Sequence, residues 1–468
     1  MSVNPLAPEW LAHPDDANAL APAVWPRDAH RDAAGEIVLG GVSATALARE
    51  FGTPLYVVDE SDARFRAREI RTAFEREFQA VGSSVHVYYA GKAFLSTAVA
   101  RWVDAEGLRL DVCSGGELAV ALAAGIDPAR LGFHGNNKSL AEIDRAVEVG
   151  VGAIVLDSVV EIARVAEAAE RRGRVQPVRL RINSGVHAST HEYLATARED
   201  QKFGIPLADA AATVARIRSH AGLEFLGLHS HIGSQIFESD GFAEAARRLL
   251  AVHADLLADG PVPELNLGGG FGIAYTSVDE PAPIAGIAAD FARVVAEECA
   301  SRGIPVPVVA IEPGRSIIGP AGVTLYEIGT IKPVQVAAGA ERTYVSVDGG
   351  MSDNARPALY GADYTVRLAN RVSDADPLLV RLAGKHCESG DIVVHDDYLP
   401  SDVAPGDLAA VPATGAYCWS LASNYNYLGR PAVVAVTEGA ARVIVRRETE
   451  TDLLSRDTGV SAPTEEAP

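Results

Sequence analysis

Eight short runs rich in β-branched and aromatic residues recur along this chain, and helix-like segments separate most of them. The runs are Val85–Tyr89, Leu108–Cys113, Leu131–His134, Ala153–Asp157, Pro177–Ile182, Phe225–Ile232, Glu264–Leu267 and Val308–Glu312. The first five start about 22–25 residues apart and the later ones farther, a spacing that fits one strand plus one helix per unit. The intervening segments, such as Ser139–Val149 and Val159–Arg172, are rich in Ala, Glu and Arg. Eight β/α units in series predict an α/β fold, a (β/α)8 barrel of the TIM type.

Polar residues support the barrel more strongly than the period does. Lys92, Asp111, His134, Asp157, Arg181, His229, His231, Gly268–Gly270 and Glu312 all fall at or just past the C-terminal end of a predicted strand. That is the face on which such barrels build their active sites.

After Pro313 the pattern changes. Val323–Ile331, Arg342–Val347, Tyr364–Leu368, Leu378–Leu382, Asp407–Val411 and Arg442–Arg447 read as strands joined by Gly, Pro and Asp turns with little helix. The expected fold class is therefore α/β plus all-β: a barrel followed by a C-terminal β-sandwich or β-barrel domain that recruits the N-terminal segment near Ile37–Ala46. The expected boundaries are 1–25 for a surface arm, 26–55 for a segment packing with the β domain, and 56–312 for the barrel. The β domain then spans 313–455 and a disordered tail 456–468. A net charge of −21 argues against nucleic acid or an anionic membrane as the main partner. The four cysteines are widely spaced with no paired metal spacing, and no secretion signal or membrane-length apolar run is evident. A cytoplasmic location is the expectation.

Of 41 basic side chains only five are lysine: Lys92, Lys138, Lys202, Lys332 and Lys385. A lysine retained in so arginine-rich a chain points to chemistry that needs an amine, since an amine can lose its proton and attack a carbonyl. Lys92 follows the run Val85-His-Val-Tyr-Tyr-Ala-Gly91 directly, where a Schiff base is possible. Leu267-Gly268-Gly269-Gly270-Phe271-Gly272 can turn tightly and offer backbone N–H groups to a phosphate. His229 and His231 share a strand face, and two readings stand open: metal ligands, or an imidazole against a flat ligand with Ser234 on an anion. Glu312 could pair with a ring nitrogen and Arg315 could grip a carboxylate, or the two could form a local ion pair. In Gly384-Lys-His-Cys-Glu-Ser-Gly-Asp391 a nucleophile, an acid and a base crowd one loop, with Cys387 a candidate proton donor.

Together, Tyr88-Tyr-Ala-Gly-Lys92-Ala, Asp111-Val-Cys-Ser-Gly-Gly-Glu117, His134-Gly-Asn-Asn-Lys138, Gln201-Lys-Phe-Gly204, His229-Ser-His-Ile-Gly-Ser-Gln235, Glu312-Pro-Gly-Arg315 and His386-Cys-Glu-Ser-Gly-Asp391 carry a resemblance. In order and register, over about residues 25–455, the chain resembles the fold-type III pyridoxal-phosphate decarboxylases, and among them the actinobacterial members that act on diaminopimelate. Ser184 and Ser189 fall where many members carry other residues.

The resemblance implies pyridoxal 5'-phosphate as cofactor, no metal, and conversion of meso-2,6-diaminopimelate to L-lysine and CO2. It implies that Lys92 holds the cofactor, His231 stacks on its ring and Glu312 faces its ring nitrogen. Asp111 and His134 join the cofactor site, and Ser234, Gly268, Gly269, Gly270, Gly314, Arg315 and Tyr417 cradle the phosphate. Cys387 protonates the α-carbon. Arg315, Arg356 and Tyr360 receive the distal carboxylate, Glu388 the distal amine, and Tyr417 also borders the substrate. It further implies a homodimer in which Cys387 and Glu388 enter the partner's barrel.

Overall fold

The computed structural model describes residues 4–186, 202–337 and 340–460. The chain divides into two compact units: Arg64–Ile273 with Glu280–Ile317, and Met1–Ala63 with Ala274–Asp279 and Ile318–Pro468. Gln201, the Ala188–His191 stretch holding Ser189, and residues 461–468 of the expected tail lie outside the described residues.

In the first unit eight strands pair in parallel and close on themselves. They are β1 (Val85–Ala90), β2 (Arg109–Val112), β3 (Leu131–Phe133), β4 (Ala153–Leu156), β5 (Gln176–Asn183), β6 (Leu223–His229), β7 (Glu264–Asn266) and β8 (Val308–Ile311). Closure comes from β8 pairing with β1, Val309 opposite Val85. Strands such as β4 are buried at every position, as expected when side chains fill the barrel on one face and meet helices on the other.

Serine side chains fix where three of the helices start. Ser96, Ser114 and Ser139 accept bonds from the amides of Val99, Glu117 and Glu142 at 3.3, 3.2 and 3.2 Å. Each satisfies a backbone donor that a helix start leaves over. Part of the Asp111–Glu117 motif is thus a helix start: Glu117 Oε2 also accepts from the Cys113 amide at 2.6 Å. Lys138 is likewise structural. Its ammonium is buried and donates to the Gly135 and Val155 carbonyls at 2.6 and 2.8 Å, with Glu161 3.0 Å away.

The second unit is built on one long strand, Gly322–Ala337, which pairs antiparallel with Ala340–Val347, Leu408–Pro412 and Leu55–Asp59. Leu55–Asp59, of which all but Leu55 was expected in the barrel, is buried throughout and lies between Gly322–Leu325 and Ala432–Val436, parallel to the latter. A strand covered on both faces has no alternation to reveal which sheet it joins. Two further strands went unread. Ile392–Pro400 carries His395, Asp396 and Asp397 in mid-strand, which breaks the apolar pattern, and Ala432–Thr437 is an unbroken apolar run. Tyr364–Leu368 contracts to Arg367–Leu368.

The N-terminal arm also differs from the expectation. Its Ala, Pro and Asp content suggested a surface segment, yet it ends in Val24 and Trp25, 0% and 2% exposed. Two large apolar side chains anchor it despite the surrounding composition. Ile37–Leu39 forms a small sheet with His30–Arg31 and Val42–Ser43, tied on by the Ile37 amide to the Ala369 carbonyl at 2.8 Å.

Candidate active site

The C-terminal ends of the barrel strands bring a cluster of titratable groups to one mouth. Glu312, directly after β8, is its centre. Its Oε1 accepts from Asn266 Nδ2 at 2.8 Å and lies 3.1 Å from His229 Nε2 and 3.5 Å from His134 Nε2. His134 Nε2 is also 3.2 Å from Asp111 Oδ1, and the two imidazoles meet edge to face at 5.2 Å.

Two buried carboxyls this close divide the charge. Burial alone would push Glu312 up, but the neighbouring imidazoles hold it well below the usual carboxylate range. Burial and then the Glu312 charge push Asp111 well above that range, and the structure gives its oxygens no hydrogen-bond donor among the described residues. Glu312 is therefore the stronger acid of the pair and carries the charge, and Asp111 is the weaker one. Burial lowers His134 to about 4 and lowers His229 as well, which favours the neutral imidazole at both.

Lys92 sits in the single turn Gly91–Ala93 that follows β1, with its side chain exposed. Gly91 permits this turn: a Cβ there would come within 2.8 Å of the Asp111 carbonyl. His231, weighed above as a metal partner of His229, takes a different place. Its Nδ1 accepts from the Gly269 amide at 3.3 Å, and burial followed by the Lys92 charge lowers its pKa well below the usual value. The group whose ligand atoms lie within 4.8 Å of one another is instead His134, His229 and Glu312. There both Nε2 atoms already lie within 3.5 Å of the Glu312 carboxylate.

The glycine run is a cradle with no room for side chains. Cβ atoms on Gly268, Gly269 and Gly270 would meet the carbonyls of Ser230, Glu312 and Gly233 at 2.5, 2.0 and 2.4 Å. Asn266, which the sequence reading passed over, ties this cradle to the acid: its Oδ1 accepts from the Gly268 amide at 2.8 Å. Ser234 is exposed beside the cradle and accepts from Arg315 Nη2 at 2.8 Å. Gly314 packs against Ala90 and Ala93, where a Cβ would meet theirs at 3.0 and 3.1 Å.

The sheet unit holds the remaining candidates. Arg356 opens the helix Arg356–Tyr360 and is 7% exposed rather than a surface cation. Its Nη1 donates to Tyr364 Oη. Tyr360, one turn on, is 68% exposed. Cys387 and Glu388 lie exposed in the loop between the strands Pro377–Ala383 and Ile392–Pro400. His386 anchors that loop: Nδ1 lies 2.9 Å from Asp391 Oδ2, and its ring stacks on Tyr425 at 5.6 Å. The Cys387 amide donates to Asn426 Oδ1 at 3.1 Å. Tyr417 holds a left-handed backbone (φ 62°), as do Gln235 and Asn426, a strained conformation for residues with side chains. Asn426, Tyr275 and Tyr364 were also missed, because their roles arise only from contacts made across the fold.

A closed parallel barrel with a lysine, a glycine cradle and an ionised glutamate at its mouth is the arrangement of a pyridoxal enzyme. A family model described as "Pyridoxal-dependent decarboxylase, pyridoxal binding domain" matches residues 67–319. The chain belongs to that family and, within it, to the diaminopimelate decarboxylases. It is 54% identical over 444 residues to the diaminopimelate decarboxylase of Mycobacterium tuberculosis, covering 93% of this chain and 98% of that protein. The Bacillus subtilis diaminopimelate decarboxylase is 44% identical over 90% of this chain and 95% of its own length. Among solved structures, diaminopimelate decarboxylase from M. jannaschii in complex with L-lysine superposes with a TM-score of 0.86 at 31% identity, over 94% of this chain and 99% of that one. Among the described residues, no helix is long and apolar enough to cross a membrane.

Proposed function

We propose that this chain decarboxylates meso-2,6-diaminopimelate to L-lysine and CO2, using pyridoxal 5'-phosphate held on Lys92. The observation that carries the reading is the barrel mouth itself: one exposed amine, one glutamate held ionised and one glycine cradle at the ends of neighbouring strands. These residues fit the cofactor. An ionised carboxylate suits a protonated ring nitrogen, and a glycine turn whose Cβ positions are already filled by carbonyls suits a phosphate. The Asp111 oxygens, buried with no bonded donor among the described residues, are groups that a polar ligand would satisfy.

When bound, the cofactor supplies an electron sink for the pair left behind by CO2. The chain's own residues do the rest. Lys92 would hold the cofactor through its amine. Glu312 would face the ring nitrogen, its charge supported by the Asn266 amide at 2.8 Å and by His229 and His134 Nε2 at 3.1 and 3.5 Å. His231, Asp111 and His134 would line the cofactor's ring. Ser234, Gly268–Gly270, the Gly314–Arg315 backbone and the Tyr417 hydroxyl would hold the phosphate. Cys387 delivers a proton to the α-carbon.

Selectivity follows from charge. Diaminopimelate carries an amino-acid head at each end, so its distal carboxylate calls for cations and its distal amine for an anion. Arg315, Arg356 and Tyr360 supply the first and Glu388 the second; a carboxylate desolvated without such partners would cost several kcal/mol. We read the working form as a homodimer in which Cys387 and Glu388 serve the partner's barrel. Their exposure on this chain supports it, as does that of Tyr425 and Tyr427. The free cysteines support a reducing, cytoplasmic setting.

Borohydride reduction followed by mass spectrometry tests the core of this reading, with the cofactor mass expected on the Lys92 peptide. Label elsewhere, or none, would refute it. Assays on diaminopimelate, ornithine, arginine and lysine test the substrate, and comparable efficiency on ornithine would overturn that choice.

A further inference from the structure

The Arg356 guanidinium is boxed by aromatic rings that no motif in the sequence singled out. Its Cζ lies 4.3 Å from the Tyr275 ring centre and 5.5 Å from that of Tyr364. The two rings meet edge to face at 5.2 Å and 76°. Tyr364 Oη accepts from Nη1 and sits 3.7 Å from Cys418 Sγ. Tyr275 reaches this place through Ala274–Asp279, a segment interrupting the barrel sequence that folds with the sheet unit. There Asp279 Oδ2 caps the amides of Tyr275 and Thr276 at 2.9 and 2.8 Å. On its other side the arginine is fixed by backbone: Asn354 Oδ1 accepts from the Arg356 amide at 3.4 Å and from Cys418 Sγ at 3.5 Å.

A guanidinium is planar and offers its donors as a fork, so its orientation decides whether a carboxylate can be met by two parallel hydrogen bonds. A ring at 4.3 Å favours one plane, and a hydroxyl on Nη1 sets the rotation within that plane. Among the described residues, Nη1 is the guanidinium nitrogen that makes a hydrogen bond. The edge formed by the remaining donors is left for a ligand.

We infer that Tyr364 and Tyr275 are positioning residues that orient Arg356 so that its unbonded edge receives the substrate carboxylate which survives the reaction. This rests on the reading of Arg356 proposed above. Neither tyrosine touches the reacting atoms. Both act through the arginine, so their removal should be felt by ligands with that carboxylate and ignored by ligands without it.

The test is equilibrium binding to the holoenzyme of L-lysine, which keeps the carboxylate, and of 1,5-diaminopentane, which lacks it. Tyr364→Phe should weaken lysine about tenfold and change diaminopentane less than about twofold. Tyr275→Leu, which removes the ring, should show the same pattern at about threefold. Equal weakening of both ligands would mean that the tyrosines merely support the fold. Unchanged lysine binding in Tyr364→Phe would also overturn the inference. If wild type binds lysine no better than diaminopentane, the carboxylate role of Arg356 falls and the inference with it. Turnover of meso-diaminopimelate by wild type, assayed in parallel, reports separately on the proposed reaction.

Discussion

Glu312 concentrates the electrostatics of the mouth in one side chain. Asn266 and His229 both reach the same carboxylate oxygen, at 2.8 and 3.1 Å. A glutamine would keep the shape but lose the charge and turn an N–H pair toward donors. Glu312→Gln should therefore retain cofactor yet lose about a hundredfold or more in kcat, in line with the removal of one preorganised electrostatic partner. Absorbance of the bound cofactor and steady-state kinetics check the two halves, and near-normal kcat would end this role for Glu312. At this scale the sequence was informative where residue type is itself a chemical statement. Lys92, His231 and Glu312 stand at strand ends where their groups have few bland uses. Asn266, Tyr275 and Tyr364 gave no such signal, since an amide that props an acid, or a phenol that orients a guanidinium, acquires its task from a neighbour distant in sequence. Lys138 is the converse: a motif lysine whose amine is fully engaged in holding a loop.

Among the elements, the barrel strands were legible because a helix follows most of them and a polar residue ends nearly all. The sheet strands were harder. Pairing there joins segments far apart in the chain, and central strands buried on both faces lack the alternation that marks a half-buried one. The barrel helix Asp240–Leu256 carries a less visible constraint, His253, which is 1% exposed with no bonded partner at Nδ1 among the described residues. Burial lowers its pKa to about 4. As pH falls below about 6.5 the unfolded chain takes up this proton first, so stability drops until about pH 4 and then levels off. His253→Leu should lose less stability over that descent, by on the order of 2–3 kcal/mol. Urea unfolding of both proteins near pH 7 and pH 4.5 measures the difference, and parallel losses would show that this helix is not an acid-sensitive element.

For the whole molecule, the shared-site reading predicts complementation between inactive proteins. Lys92→Ala and Cys387→Ala should each be inactive alone, yet mixing and re-forming dimers should recover about one quarter of wild-type activity. Half the dimers would then be hybrids with one complete site in two. No recovery, with hybrids demonstrated by differential tagging, would place both groups in one chain's own site. Association of this kind could not be read from composition or periodicity, which carry no record of which surface faces a copy of itself. The position of Leu55–Asp59 has a consequence of another sort. It leaves the ribosome long before one of its two neighbours, Ala432–Val436. The entire barrel is made in the interval. A growing chain must therefore carry an apolar, unpaired edge throughout that interval, and truncation shortly before residue 432 would strand it there, a target for chaperones or for aggregation.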